Sequence, residues 1–255
     1  MMHKNILISI VSHFNADLVA LLLGDLQKLN LDKDRCRIVV TSNVEEDISV
    51  LEKFTDINLK LILNDRPFGF AENHNKVFRS FESNIFCVLN PDVRIVSMDL
   101  PYISTKLDDS SIGVLAPVVF SPNKDIEDSA RRYPTPFQMF RRLVMRKRLD
   151  YAFPIEPVSV DWVAGMCMFF NSDIYKKIGG FNERFHLYLE DVELCLRLGR
   201  SGKKIIYDPS IEVIHDARRS SRRRPSYMRY HVLSYFIFLQ CLYFGVDGEQ
   251  PRAGK

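Results

Sequence analysis

A carboxylate follows an apolar run at Asn90-Pro91-Asp92. The run at 85–89 is β-branched, aromatic and apolar, which favours a buried strand, and the proline ends that strand abruptly. In a parallel sheet, Asp92 would lie at the carboxyl edge, where ligands bind. An oxygen ligand at this edge suits Mg²⁺ or Mn²⁺ holding a diphosphate. The alternative is a turn without chemistry, because Asn, Pro and Asp are common turn formers.

Two adjacent acids, Glu190 and Asp191, open a predicted helix after the apolar and aromatic stretch 185–189. Acids in a first turn are favoured by the helix dipole, which is the structural alternative. Apolar surroundings would raise the pKa of a carboxyl group toward that of a useful general base. Neighbouring helix positions point about 100° apart. One acid could therefore accept a proton while the other binds a hydroxyl.

A glycine and two amides follow the third predicted strand. Gly69 permits a tight turn and close approach of the backbone to a ligand. Asn73 and Asn75 carry amides that can bond sugar hydroxyls or phosphates. The alternative is an ordinary start of a helix.

Two aromatic side chains are weaker candidates. His215 ends the last predicted strand and could ligate a metal or touch a diphosphate, although a solvated histidine is the commoner case at such a position. Trp162, the single tryptophan, is either a core residue or a platform for a sugar ring, with room left by Gly165.

Short apolar runs alternate with amphipathic segments over the first 120 residues. Strands are predicted at 6–11, 37–40, 59–63, 85–89 and 112–119, and helices at 16–29, at 45–54 and after Gly69. This alternation predicts an α/β fold with a mostly parallel sheet flanked by helices. The ligand site of such a sheet lies at the carboxyl ends of its strands.

The second half begins with an irregular, basic excursion. It spans 121–157, contains a predicted helix at 136–149, and either caps a site or contacts a partner. Order resumes with a strand at 160–170, a helix at 190–202 and strands at 204–208 and 211–215. The sequence predicts one domain over 1–216, with halves 1–120 and 158–216 around the excursion. A basic and apolar helical segment, 217–255, follows it.

The composition excludes several classes of protein. A 46% hydrophobic fraction over 255 residues is ample for a core and argues against disorder. Five cysteines without a CxxC pair are typical of reduced core residues in a cytoplasmic protein. The first apolar run, 6–11, is too short for a secretory signal.

The basic residues are clustered. Residues 131–148 carry seven Lys and Arg and no acid, and residues 217–246 carry six Arg and no acid. Such stretches favour acidic lipid or phosphates as a neighbour. The predicted helix at 226–245 is interrupted by Ser234 and Gln240, which leaves it short of the ~20 apolar residues of a bilayer span. We expect it to pack on the protein or to lie in a membrane interface.

Six stretches together resemble glycosyltransferase family 2, the inverting enzymes of the GT-A fold, and within it the bacterial rhamnosyltransferase-like branch. They keep the order and spacing of the family through about residue 220, and the long segment is the most specific. The stretches are VSHFN (11–15), GFAENHN (69–75), VLNPD (88–92), DWVAGMCM (161–168), IGGFNERFHLYLEDVELCLRLGRSGKKIIYDP (178–209) and VIH (213–215).

The resemblance implies roles for these residues. Asp92 takes the place of the metal-binding aspartate, with Asn-Pro-Asp replacing the familiar Asp-x-Asp, and His215 approaches the metal, Mg²⁺ or Mn²⁺. Asp191 matches the catalytic base, and Glu190 orients the acceptor, whose site also includes Trp162 and Gly165. The nucleotide sugar is held by Ser12, His13, Phe14, Asn15, Ser42, Asn43, Gly69, Phe70, Asn73, Asn75 and Asn90.

The implied reaction is transfer of L-rhamnose from dTDP-rhamnose to a polyprenyl-diphosphate-linked N-acetylglucosamine, with inversion. It would serve O-antigen or other cell-surface polysaccharide synthesis, with the protein in the cytoplasm and in peripheral contact with the plasma membrane. The family often has a base-reading aspartate after the second strand, where this chain has Ser42-Asn43. A UDP-hexose donor therefore stays open.

Three other functions are less consistent with the sequence. A catalytically silent nucleotide-sugar-binding module would need neither Asp92 nor Asp191. A nucleotidyltransferase would carry a glycine-rich basic loop after the first strand, where this chain has SHFNAD. Nucleic acid is not predicted as a partner, because no recognised binding motif accompanies the arginines.

Overall fold

A nine-stranded sheet forms the centre of the protein. The structure, a computed structural model, describes residues 4–145, 150–151, 153–216 and 225–245. Alternate residues of the first strand face opposite sides of this sheet, so that Ile6, Ile8 and Ile10 enter one apolar core and Leu7 enters a second. The sheet is therefore covered on both faces, as the α/β prediction requires.

The N-terminal half confirms the predicted alternation of strands and helices. Its strands are β1 (Ile6–Ser12), β2 (Cys36–Ser42), β3 (Asn58–Leu63) and β4 (Ile85–Leu89), all parallel, in the order β3-β2-β1-β4. The helices are α1 (Ala16–Lys28) and α2 (Phe70–Ser80). The carboxyl ends of β1, β2 and β4 thus meet at one edge of the sheet.

The helix predicted at 45–54 is wrong, since only a single 3₁₀ turn forms there, at Ser49–Leu51. The Asp47 carboxylate accepts a hydrogen bond from the Ser49 N–H at 2.9 Å, a local bond that competes with a helix. The Glu46 carboxylate does not extend from a helix here but accepts a hydrogen bond from the Ala16 N–H at 3.1 Å. This carboxylate therefore caps the first turn of α1.

The second half of the sheet is mixed. It contains β5 (Val93–Ser97), β6 (Ile112–Phe120), β8 (Val158–Val160), β10 (Cys167–Asn171) and β11 (Lys204–His215). β10 runs antiparallel to both β4 and β6, whereas β6 and β11 are parallel. Two helices that the sequence analysis did not predict, α3 (Leu100–Lys106) and α5 (Ser172–Lys177), lie in this half, together with the predicted α6 (Glu190–Arg200).

Two strand boundaries differ from the prediction. The predicted strand 160–170 divides into β9 (Trp162–Val163) and β10, because β9 leaves the main sheet and pairs with β7 (Ala130–Arg131). The strands predicted at 204–208 and 211–215 are the single strand β11, with a bulge between Asp208 and Glu212. At the bulge, the buried Asp208 carboxylate accepts bonds from Tyr102 and Ser210.

Two further helices are α4 (Pro136–Met145) and α7 (Pro225–Phe244). α7 packs on the protein through the buried Phe238 and Cys241, while Phe236 and Phe244 are exposed. No helix in the described ranges has both the length and the apolar character to span a bilayer. The division of the chain at residue 216 stays a prediction.

Candidate active site

A cleft of about 590 Å³ opens at the carboxyl ends of β1, β2 and β4. This is a usual volume for a small-molecule site. It is lined by seven of the residues predicted from the sequence, namely His13, Asn15, Asn43, Phe70, Asn73, Asn90 and Asp92. The tertiary structure therefore brings four separate segments of the chain to one ligand-sized space.

Three asparagines brace the floor of this cleft. The Asn43 side-chain oxygen accepts bonds from the Asn64 and Asn73 amides at 2.9 and 3.1 Å, and from the Phe68 N–H at 2.8 Å. Asn64 also donates to the Asn73 oxygen at 2.7 Å. The amides of Asn43 and Asn73 thus hold the loop 64–69 in place.

The side chain of Phe14 is exposed beside the cleft. Its side chain is 70% exposed, and its backbone has φ of 60°, a left-handed conformation that costs a non-glycine residue roughly 1–2 kcal/mol. Phe14 lines a neighbouring cavity of about 400 Å³ that shares Asn15 with the cleft. Strain of this kind accumulates at binding sites, where the surrounding structure holds it in place.

Asp92 lies between β4 and β5 and faces His215. His215 Nε2 lies 3.3 Å from Asp92 Oδ2, and His215 Nδ1 lies 2.9 Å from Glu127 Oε2. Burial lowers the pKa of His215, but the hydrogen bonds and charges of Asp92 and Glu127 outweigh it and raise this pKa to about 9. His215 is therefore a cation bound by two carboxylates, and it has no free nitrogen for a metal in this arrangement.

The second oxygen of Asp92, Oδ1, is buried and has no hydrogen-bond partner. A buried carboxylate oxygen without a partner is costly, and a cation would satisfy it. Among the described residues, no group of three or more His, Cys, Asp and Glu side chains is placed to enclose a metal. The arrangement fits a cation bound by one carboxylate with phosphate and water ligands, as Mg²⁺ accepts.

Asp191 lies in the first turn of α6 with a fixed orientation. Its Oδ2 accepts a bond from the Gly165 N–H at 2.8 Å, and its Oδ1 accepts one from the Val192 N–H at 2.8 Å. Burial raises the pKa of Asp191, while these two N–H groups and the charge of Arg131 act in the opposite direction. A half-buried carboxylate of raised pKa, held by two donors, suits a general base. The Phe70 ring lines the cleft and lies close to Gly165, since a Cβ at residue 165 would be 3.5 Å from Phe70 Cζ.

Glu190 is buried beside Asp191, and its Oε2 has no hydrogen-bond partner. Burial, together with the charge of Asp191, raises the pKa of Glu190 well above its usual value. Both carboxyl groups of this pair therefore have raised pKa values, with burial as the largest cause for each.

Several predicted binding residues are engaged within the protein instead. Asn75 is buried, and its amide bonds Tyr175, Phe181 and Glu183. The Ser42 hydroxyl is buried and donates to the Val44 carbonyl oxygen at 2.8 Å. A donor-binding role for these two side chains is not supported by their placement.

Three further predicted residues contact other parts of the protein, namely Trp162, Gly69 and Ser12. The buried Trp162 donates from its indole N–H to the Arg132 carbonyl oxygen at 2.9 Å, and the Arg131 guanidinium covers its ring, 5.3 Å from the centroid. A sugar platform at Trp162 is not supported by its placement, because the ring is buried and does not line the cleft. Gly69 is needed for its approach to His186, whose carbonyl oxygen would lie 2.7 Å from a Cβ at residue 69. The buried Ser12 hydroxyl accepts a bond from the Asn15 N–H.

Sequence comparisons show what the chain resembles. It is 33% identical over 168 residues to an N-acetylglucosaminyl-diphospho-decaprenol L-rhamnosyltransferase of Mycobacterium tuberculosis, a match that covers 60% of this chain and 53% of that protein. It is 26% identical over 246 residues to the rhamnosyltransferase WbbL of Escherichia coli K12, which covers 91% of each chain. No family model matches the chain.

A solved structure shares the fold. The mannosyltransferase PcManGT of Pyrobaculum calidifontis, solved with GDP-mannose and Mn²⁺, superposes with a TM-score of 0.65 at 16% identity, over 98% of this chain and 67% of that one. The chain therefore has the GT-A fold and is similar in sequence to curated rhamnosyltransferases. The fold class and the resemblance inferred from the sequence are thereby confirmed.

The chain spans about half the length of the M. tuberculosis relative. Its site also contains residues that the sequence analysis missed. Glu127, Asn64 and Tyr230 gave no signal by spacing, because each reaches the site from a different segment. His186 and Tyr188 lie in the aromatic stretch 185–189, so their place just before α6 was a usable signal.

Proposed function

We propose that this protein is an inverting glycosyltransferase that transfers a sugar, with L-rhamnose from dTDP-rhamnose favoured, to a polyprenyl-diphosphate-linked N-acetylglucosamine. The relatives' rhamnosyltransferase names support the donor sugar and acceptor class. The observation that carries the reaction type is the orientation of Asp191 by Gly165 and Val192 beside a ligand-sized cleft.

In the proposed reaction, Asp191 accepts the proton of an acceptor hydroxyl. The oxygen of that hydroxyl forms a bond to the anomeric carbon of the donor as the bond from that carbon to the nucleoside diphosphate breaks. Attack on the face opposite the leaving group inverts the anomeric configuration. Burial disfavours a negative charge on Glu190 beside Asp191 and raises the pKa of Glu190 well above its usual value.

The donor would be held at the carboxyl edge of the parallel strands. His13, Asn15, Asn90 and Asp92 line the part of the cleft nearest to these strands, and Phe14 extends from it. A divalent cation held by Asp92 would neutralise the charge that develops on the departing diphosphate. The buried Oδ1 of Asp92, without a protein partner, supports that assignment. His215 would act beside it as a positive neighbour.

We further propose that α4 contacts an acidic membrane surface, where a polyprenyl acceptor resides. Phe137, Phe140 and Val144 recur at helical spacing and are 70%, 66% and 63% exposed. The surrounding stretch 131–148 carries seven basic residues and no acid, which complements anionic lipid. The α7 helix differs from α4 in this respect, because it packs one of its faces against the protein.

The function is tested by release of nucleoside diphosphate from dTDP-rhamnose and from a panel of UDP-hexoses. Each donor is combined with a lipid-diphosphate N-acetylglucosamine, with and without Mg²⁺. Acceptor-dependent release from dTDP-rhamnose alone would support the favoured donor, and release from a UDP-hexose would assign the alternative. Absence of release from every donor, in protein shown to be folded, would favour a catalytically silent nucleotide-sugar-binding module.

A further inference from the structure

Part of the lining of the cleft is aromatic. His186, Tyr188 and Tyr230 line it, and they come from the loop before α6 and from α7. His186 and Tyr230 lie with ring centroids 5.0 Å apart, tilted by 33°. We call these three side chains the aromatic wall. The sequence analysis assigned none of these three side chains to the donor or the acceptor.

α7 supports the aromatic wall from behind. The His231 ring lies parallel to Tyr188, with centroids 3.6 Å apart and planes 8° apart. The Ser234 hydroxyl donates to the Leu187 carbonyl oxygen at 2.8 Å. Farther along the helix, Arg200 donates to the carbonyl oxygens of Cys241 and Leu242 at 2.9 and 2.6 Å. Contacts along most of the helix therefore fix the position of the wall.

The backbone of the wall is strained. Tyr188 and Leu189 are consecutive non-glycine residues with φ of 73° and 66°. This left-handed conformation is unfavourable for a residue that carries a Cβ atom. Two in a row persist only where surrounding contacts determine them, which occurs chiefly at functional sites. Here the strained pair leads directly into Glu190 and Asp191.

The position of the aromatic wall in the cleft indicates which ligand it would contact. The donor nucleotide would lie toward Phe14 and the carboxyl ends of β1 and β2, whereas the wall adjoins the first turn of α6, where the base lies. Tyrosine and histidine rings combine an apolar face with a polar edge. That combination matches a pyranose ring, which has an apolar C–H face and hydroxyls around its rim.

We infer that the aromatic wall is the subsite for the pyranose ring of the acceptor, with Tyr230 in contact with that ring and His231 a positioning residue behind Tyr188. This inference rests on the proposed function, because it assumes a sugar acceptor. It replaces Trp162, whose ring is covered by Arg131, as the aromatic platform of the site.

The experiment uses the full chain and a soluble probe, N-acetylglucosamine diphosphate carrying a short alkyl chain. Tyr230→Ala and Tyr230→Phe are compared with Tyr243→Ala, an exposed tyrosine of the same helix that does not line the cleft. Probe binding is measured by saturation-transfer NMR and titration, and donor-site binding by titration with nucleoside diphosphate. KM and kcat are measured for whichever donor turns over.

Tyr230→Ala is expected to raise the Kd and KM of the probe by ~10-fold, the loss of about one aromatic contact. Tyr230→Phe is expected to keep most of the affinity, and nucleoside diphosphate binding should stay unchanged in both variants. His231→Ala should raise the KM of the probe, and His231→Phe, which keeps a stacked ring, should restore it. Tyr243→Ala should match the wild-type protein.

Two results would overturn the inference: unchanged probe binding in folded Tyr230→Ala, or weakened nucleoside diphosphate binding in the same variant. The second result would place the donor against the wall. If the wild-type protein turns over no donor but binds the probe through Tyr230, the subsite stands and the proposed function fails. If the wild-type protein neither binds the probe nor turns over, both fail.

Discussion

The backbone N–H of Gly165 donates a hydrogen bond to Oδ2 of Asp191 at 2.8 Å. This bond joins the loop between β9 and β10 to the first turn of α6, and it fixes one oxygen of the carboxylate. A methyl group at residue 165 would lie 3.4 Å from the Asp191 Cβ, an ordinary contact distance. The orientation of the Asp191 carboxylate therefore depends on the backbone N–H of Gly165 more than on the absence of a side chain at residue 165.

Asp191→Asn should abolish most turnover while the fold and donor binding persist. An amide of the same size keeps the packing but cannot accept the proton, and loss of a general base costs typically 10²–10⁴-fold in rate. Turnover is measured as acceptor-dependent release of nucleoside diphosphate, and binding by titration. Asp34→Asn, at an exposed position, is the matched control. Retained turnover in Asp191→Asn would remove this residue from the mechanism.

Glu190→Gln should stabilise the protein at neutral and alkaline pH. The pKa of Glu190 is raised in the folded state, chiefly by burial, from an unfolded value of about 4.3. The unfolded state therefore loses this proton first, and the wild-type protein loses stability as pH rises from the unfolded pKa toward the folded one. Glutamine, which cannot ionise, removes that loss.

The free energy of unfolding, measured in urea for both proteins at several pH values, checks this expectation. The advantage of Glu190→Gln should be absent near pH 4 and grow with pH. A difference between the two proteins that is the same at every pH would show that Glu190 titrates as an ordinary carboxyl group.

Asp92→Asn should reduce the effect of Mg²⁺ on donor binding. An amide is a weaker ligand than a carboxylate for a hard cation, so we expect the Mg²⁺-dependent part of nucleoside diphosphate affinity to fall by roughly tenfold or more. Calorimetric titration with and without Mg²⁺ measures it. Glu82→Gln, an exposed charge outside the cleft, serves as control. Equal Mg²⁺ dependence in Asp92→Asn and wild type would contradict a cation at Asp92.

Replacement of both Phe137 and Phe140 by glutamate should weaken binding to vesicles that contain anionic lipid. The substitution removes two exposed apolar side chains and adds negative charge beside a basic stretch. Flotation with acidic and neutral vesicles measures the effect. Leu21→Glu, at an exposed position of α1, controls for the charge change. Undiminished flotation, or a change of oligomeric state instead, would assign this face of α4 to another partner.

Phe14→Asn should weaken donor binding without destabilising the fold. Asparagine tolerates the left-handed backbone at this position better than phenylalanine, and little packing is lost because Phe14 is largely exposed. We expect the melting temperature to be unchanged or higher and the Kd of the donor to increase. A lower melting temperature with unchanged donor affinity would make Phe14 a structural residue.

The sequence by itself determined the strands β1 to β4 with the helices α1 and α2, the carboxyl-edge position of Asp92, and the place of Glu190 and Asp191 in the first turn of α6. These features follow from neighbours in the chain, because apolar periodicity and turn residues act over short separations. The helix predicted at 45–54 is wrong because a periodicity pattern records only where apolar residues recur. It does not record the hydrogen bonds that the Asp47 and Glu46 carboxylates accept there.

Only the tertiary structure decided which polar side chains are free for a ligand. Asn75 bonds the carbonyl oxygen of Phe181, 106 positions away, and Glu127 meets His215, 88 positions away. The ring of Tyr230 reaches the cleft because α7 folds back onto the loop before Glu190. A side chain of the same type can bind a ligand or brace the fold, and partners so distant in sequence are set by packing of the whole chain.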